Sequence, residues 1–385
     1  MTNPLDKKRV VICAGPGGVG KTTTAAAFGV AAARAGLRTA VATIDPAPRL
    51  VDALSLPSLD AELRPLPAAT AERLNVPPNH LFASRIDTRQ AFAELVSDFA
   101  GDPARRERIL ANTLYQQITT TLTGAQEYAA ALSVTKLSQD PRFDLVILDT
   151  PPAANALEFF DAPGRLKAAI ESPLIRWLLP HPSRKLLHVA RIGSGGGVVL
   201  RALSRLVGSH FLADLGAFLE DFQPVLGGLS SRTQTALSVL QGPNTVVVGV
   251  CIAEPQAMDE MIGFSKTLEG LGMGPQAFVV NRTMPTPKLT DPDAIARALD
   301  RVPVVPWSTA AARATAVRAV ADAADTVARV AAHQERQAHR LSTTFPGRRV
   351  VKVPLLAAGD SPLSLLAATA ASLSQSGLAP GGRSS

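Results

Sequence analysis

Short, largely apolar runs recur along the chain, and longer alanine- and leucine-rich stretches lie between them. Residues 9–14 (RVVICA), 38–44, 81–86, 143–148 (FDLVIL), 245–252 (TVVVGVCI), 276–280, 302–305 and 349–353 are runs of the first kind. They are short and rich in valine, the pattern of strands buried on both faces of a parallel sheet. Residues 22–36 are alanine-rich and close on Gly36, a helix with its C-terminal glycine. Strands separated by helices predict an α/β fold with a mostly parallel sheet flanked by helices.

Two stretches break the alternation. Residues 89–137 read as wholly helical, with Phe92, Leu95, Val96 and Phe99 on one face. Residues 157–240 read as mainly helical, with Leu174, Ile175, Trp177, Leu178 and Leu179 early. Leu203, Leu206, Val207, Phe211, Leu215, Phe218 and Phe222 follow at intervals of three or four. One domain over residues 1–375 is expected, with helical insertions at about 89–140 and 155–242 forming a subdomain. Gly193 to Gly197 reads as a flexible turn between helical stretches rather than as a second phosphate cradle, since it does not lie between a strand and a helix. The Ser/Gly/Pro-rich tail, residues 376–385, is expected to be disordered.

At 385 residues, 46% hydrophobic and 18% charged, the chain can bury a sizeable core. Its net charge of +7 comes from scattered arginines such as Arg105-Arg106 and Arg348-Arg349. That distribution fits a solvated surface better than a nucleic-acid-binding stripe. Cys13 and Cys251 both sit in apolar runs, which leaves no disulfide framework and no cysteine-rich metal site. The N-terminus lacks a signal-peptide apolar segment, and no apolar run approaches ~20 residues. A soluble cytoplasmic protein without a transmembrane segment is the expectation.

The first apolar run leads directly into Gly15-Pro16-Gly17-Gly18-Val19-Gly20-Lys21-Thr22-Thr23. Strand, glycine-rich loop and helix in that order form a phosphate cradle: glycines let several N–H groups converge at the positive end of the helix. Lys21 is placed to reach the outer phosphates, and the Thr22 hydroxyl to ligate Mg²⁺. The same glycines also satisfy the dinucleotide fingerprint, and Asp45 lies where a ribose-binding acid would sit. Lys21-Thr22 decides for a triphosphate, because a dinucleotide turn needs close helix packing at that point, not a cation and a hydroxyl.

Two carboxylates end apolar runs beside this loop. Asp149 after FDLVIL is placed to hold Mg²⁺ through water; its alternative is a helix cap before Thr150-Pro151-Pro152. Asp45, in Thr43-Ile44-Asp45-Pro46-Ala47-Pro48, reads either as a group orienting the attacking water or as a helix N-cap ahead of Pro46. Position alone does not separate these two.

The segments Gly17 to Thr23, Asp45-Pro46-Ala47 and Asp149-Thr150-Pro151-Pro152 together resemble the ArsA-type ATPases. That family includes the arsenite-pump ATPase and the ATPase that targets tail-anchored membrane proteins. The resemblance extends from Val10 to about Leu366. It implies an ATP-hydrolysing switch with ATP and Mg²⁺ bound at the loop and Asp45 acting on the attacking water. Asp149 would then begin the segment that couples hydrolysis to the helical region. It further implies a nucleotide contact at Glu254, an adenine-reading amide at Asn281 and a segment closing over the base at Pro354. Without the resemblance, Asn281 reads as a strand-end turn residue and Pro354 as an ordinary strand exit.

The resemblance also implies a homodimer or a heterodimer with a related subunit, and a hydrophobic client or membrane protein as partner. An apolar groove within 174–222 would shelter that client; the alternative is that these residues pack on one another. The chain departs from the family in three places. Pro16 stands where members often carry a lysine that reaches the partner's phosphates. Pro48-Arg49 replaces a His-Ser-like pair. The cysteines that bind arsenite, or that bridge two subunits through zinc, are absent. Two other classes remain in view. One is a binding module in which ATP sets conformation with little hydrolysis. The other is a ParA/MinD-like positioning ATPase, which the lack of Lys and Arg in residues 355–373 disfavours on membranes. An iron–sulfur reductase would need exposed cysteine ligands, which the chain lacks.

Overall fold

The structure is a computed structural model that describes residues 3–121, 124–170, 209–288, 290–302, 309–356 and 361–381. At its centre is β1 (Val10–Ala14), with every residue buried. It pairs in parallel with β5 (Leu145–Asp149) on one side and with β6 (Thr245–Ile252) on the other. Beyond β5 lie β2 (Thr39–Thr43), β4 (Leu81–Arg85) and the two-residue β3 (Arg64–Pro65); beyond β6 lie β7 (Ala277–Thr283) and β8 (Arg349–Pro354). The sheet order is β3-β4-β2-β5-β1-β6-β7-β8, and only the β3–β4 pair is antiparallel. The predicted α/β class is therefore correct. β3 escaped prediction because it is short, exposed and built from Arg-Pro.

Period-two alternation splits each central strand between two cores. Val11 and Cys13 face one layer, formed with Phe28 of α1 (Lys21–Arg34) and with Leu366 and Leu373 of the C-terminal helix Pro362–Gln375. Val10, Ile12 and Ala14 face the other, where Phe159, Phe160, Met261, Phe264 and Phe345 pack. Both faces are covered, which is why the strands read as continuous apolar runs rather than alternating ones. Cys13 and Cys251 are free and fully buried, and burial pushes the Cys251 thiol up to about 12.

After β2 come the short helices α2 (Arg49–Leu54) and α3 (Ala68–Arg73). The helical stretch at 89–137 then resolves into α4 (Thr88–Phe99), α5 (Pro103–Ala111), α6 (Thr113–Thr121) and α7 (Ala125–Gln139). Asp87 and Asp102 cap α4 and α5 by accepting from Gln90 N and Arg105 N, each at 2.8 Å. With α8 (Ala153–Ile170) and α9 (Ser209–Leu240) these helices surround a third core of Phe92, Val96, Tyr128, Phe218 and Val225. Tyr128 and Thr233 share a buried hydroxyl pair at 2.8 Å, joining α7 to α9.

Residues 171–208 lie outside the described residues, and with them Leu174 to Leu179, Gly193 to Gly197, Leu203, Leu206 and Val207. The expected strand at 302–305 falls mostly outside them, and Val302 is not in a strand. The remaining helices are α10 (Pro255–Gly270), α11 (Pro292–Leu299), α12 (Ala310–Thr344) and α13 (Pro362–Gln375). The tail differs from its expectation as far as Gly381. Leu378 is fully buried, Asn3 donates to the Ala379 carbonyl at 2.6 Å, and Gly381 N donates to Asp6 at 3.3 Å. One well-placed leucine outweighs the polar composition that signalled disorder. Among the described residues, no helix is long and apolar enough to cross a membrane.

Candidate functional site

The loop between β1 and α1 closes on backbone that other residues cannot supply. Gly15 has φ +154°, and a Cβ there would lie 2.0 Å from the Val250 carbonyl oxygen and 2.7 Å from Met261 Cε. Gly18 and Gly20 have φ of +73° and +95°. Gly20 also caps α1 without a side chain, so the first N–H groups of the helix are left for a ligand. Gly17 packs beside Pro152, and Val19 is buried beneath the loop. Gly15→Ala is expected to cost about 2 kcal/mol more stability than Gly18→Ala, whose Cβ would enter open space. Paired thermal melts measure the difference.

Lys21 is almost fully buried, and its ammonium donates to the Gly15 and Pro16 carbonyls at 3.0 and 2.7 Å. Burial lowers its pKa, while the nearby Asp149 carboxylate works in the opposite direction. Asp149 is wholly buried at the end of β5. The hydroxyls of Thr22 and Thr43 donate to its Oδ2 at 2.8 and 3.0 Å, while Oδ1 has no partner. Burial pushes this carboxyl up to about 6, against the pull of the two hydroxyls and Lys21. A buried, unpartnered carboxylate oxygen beside a threonine hydroxyl fits a hard divalent cation completed by phosphate and water oxygens. The helix-cap alternative for Asp149 has no support, since its contacts are the two hydroxyls.

Asp45 stands just past β2. Its Oδ1 accepts from Ala47 N at 2.9 Å, and its Oδ2 pairs with Arg49 at 3.1 Å. The alternative cap ahead of Pro46 does not form: α2 begins at Arg49, with Pro48 at the cap position. Asp45, Lys21, Thr22, Thr23, Gly18 and Gly20 border one cavity of about 490 Å³ at the C-terminal edge of the sheet. Arg49, Arg282 and Leu365 border it as well.

The three remaining predicted residues lie apart from that cavity. Asn281, on β7, donates through Nδ2 to the Val19 carbonyl at 2.9 Å and so braces the loop from behind. Glu254 is exposed at the start of α10. Pro354 ends β8, where Leu355 N donates to the Thr283 carbonyl at 2.7 Å. Two residues at the site were not evident from the sequence: Thr43, whose only signal is a hydroxyl two positions before Asp45, and Arg282. The latter sits at an irregularity in the β7–β8 register, with φ +56°. Such bulges re-aim a side chain.

A parallel sheet with a glycine-rich loop, a buried lysine and a strand-end carboxylate defines a phosphate-loop nucleotide-binding protein of the α/β class. The model of the family described as Anion-transporting ATPase matches residues 8–298, and the chain belongs to that family. An uncharacterized protein of Streptomyces coelicolor is 31% identical over 278 residues, 72% of this chain. The chain spans 63% of that protein, less than two thirds of its length. ATPase GET3 of Malassezia globosa is 24% identical over 304 residues, covering 74% of this chain and 77% of that protein. ATPase get3 of Schizosaccharomyces japonicus is 23% identical over 288 residues, covering 74% and 78% respectively.

Proposed function

We propose that the chain is an ATP-hydrolysing switch of the ArsA type. The observation that carries this reading is Asp149: fully buried, gripped on one oxygen by Thr22 and Thr43, unpartnered on the other, and close to Lys21. A buried acid in that setting is costly unless a cation uses it. Thr22 and Asp149 would hold Mg²⁺, which when bound neutralises charge on the outer phosphates. Lys21 and the loop N–H groups stabilise the triphosphate and the charge that grows during transfer. Asp45 orients the attacking water.

Loss of the γ-phosphate would then release the segments at Asp45 and Asp149. One link to the helical layer supports such coupling. Gln126, on the first turn of α7, donates to the Ile44 carbonyl at 2.8 Å, directly beside Asp45. Movement of the Asp45 segment therefore pulls on α7 and the helices packed around it. This layer is the part that would engage a hydrophobic client or membrane protein.

Pro16 lacks both charge and N–H, so the isolated chain is a slow enzyme in this reading. Its turnover is expected at about 10⁻² s⁻¹ or below, rising with a second ATPase subunit, either another copy or a relative. Phosphate release from Mg-ATP and binding of a fluorescent ATP analogue test the proposal directly. A purified, folded chain that binds no nucleotide would overturn it. A rate of tens per second without a partner would overturn the dependence on a second subunit.

A further inference from the structure

We propose that Arg49 is a second phosphate-contacting cation of this site, supplied by the chain itself and held by Asp45 until a triphosphate draws it away. The inference rests on the phosphate-loop reading above and concerns how that site handles its outermost phosphate.

Arg49 is the first residue of α2 and borders the same cavity as Lys21, Thr22 and Thr23. Its guanidinium lies near enough to Lys21 for its positive charge to lower the lysine's proton affinity. Two cations that face one cavity repel each other unless an anion lies between them. In the structure Asp149 offsets the charge of Lys21, and Asp45, at 3.1 Å, offsets that of Arg49.

The Asp45–Arg49 pair is weak by construction. The arginine side chain is 57% exposed and the spacing is i,i+4, which limits such a pair to about 0.2–1 kcal/mol. A terminal phosphate offers more charge and accepts two parallel N–H bonds from a guanidinium. The exchange is therefore favourable, and it has a second effect. Once Arg49 turns to the phosphate, Asp45 Oδ2 is freed. It can then accept from water while Oδ1 keeps its bond from Ala47 N. In the transfer, the water oxygen bonds to the γ-phosphorus and the bond to the bridging oxygen breaks. That oxygen leaves on ADP, and the water proton passes to the phosphate product. Arg49 neutralises charge on the transferred oxygens throughout.

The test uses full-length wild type, Arg49→Ala, Arg49→Lys, Asp45→Asn and the double variant Asp45→Asn/Arg49→Ala. It measures binding of mant-ATPγS and mant-ADP with Mg²⁺, together with single-turnover phosphate release. Arg49→Ala is expected to weaken triphosphate binding about tenfold while leaving ADP affinity unchanged. It should slow release about 10²-fold or more; Arg49→Lys should recover part of both. Asp45→Asn should tighten triphosphate binding about two- to fivefold, and this gain should vanish in the double variant. A merely structural arginine would not produce that dependence. If Arg49→Ala keeps the wild-type preference for triphosphate over diphosphate, the proposal is overturned, whatever the rate of release. A wild type that binds neither nucleotide is a different result: it removes the phosphate-loop reading, and the proposal with it.

Discussion

Asp45→Asn is expected to cut single-turnover phosphate release by about 10²–10³-fold while nucleotide affinity stays within about fivefold of wild type. The carboxamide has the shape of the carboxylate, so its oxygen can still accept from Ala47 N, the contact that fixes the turn after β2. It loses the negative charge that makes the second oxygen a strong acceptor for water. Binding should survive because the groups that would hold the phosphates, Lys21, the loop N–H groups and Arg49, all remain. Quenched-flow phosphate release and titration with a fluorescent ATP analogue separate the two effects. Unchanged release would remove Asp45 from the reaction and favour the binding-module reading. Retained in ATP, the same variant is also the bait for partners: a related ATPase subunit and a hydrophobic client are the expected companions.

Asp149→Asn is expected to stabilise the protein in EDTA at pH 7.5 while abolishing its response to Mg-nucleotide. The carboxyl's pKa is raised from 3.8 to about 6 in the fold, mainly by burial. The folded chain therefore holds a proton that the unfolded chain has already released between those values. Stability falls as pH rises through this window, and the full penalty is present above about pH 6. A shift of roughly two pH units corresponds to about 3 kcal/mol. Asparagine carries no such penalty and can still accept from the Thr22 and Thr43 hydroxyls. The variant should melt several degrees higher at pH 7.5, and the gap should close by pH 4. Adding Mg²⁺ and nucleotide should reverse the order, raising the wild-type midpoint alone. Equal midpoints for the two proteins at pH 7.5 in EDTA would contradict the buried, unpartnered state of Asp149.

The features legible in the sequence are those written in consecutive residues. The strand at 245–252 was readable because a buried parallel strand carries its own signature, an unbroken apolar run; the edge strand at 349–354 shows it only in its valines, broken by the exposed Lys352. β3 carries none. Gly15 to Thr23 was readable for the same reason: its chemistry depends on nine neighbouring residues. What joins Thr43 to Asp149 is the register of β2 against β5, which sets these two residues opposite each other although 106 positions separate them. The brace from Asn281 to Val19 spans 262 positions and depends on β7 lying two strands from β1. Arg49 stood in view as a departure from the family pattern, but its pairing with Asp45 needed the turn geometry of Pro46 to Pro48.

The position of β1 has a consequence for how the protein is made. This strand leaves the ribosome before both of its neighbours, β5 and β6, which follow about 136 and 235 residues later. Until then VVICA has no partner on either edge, and the phosphate loop has no Val250 carbonyl to close against. Pairing across such distances makes folding slow and leaves a sticky apolar strand uncovered during synthesis. Nascent chains that end before β6 are therefore expected to be aggregation-prone and unable to hold nucleotide. The chain itself would need sheltering until its own middle strand is flanked.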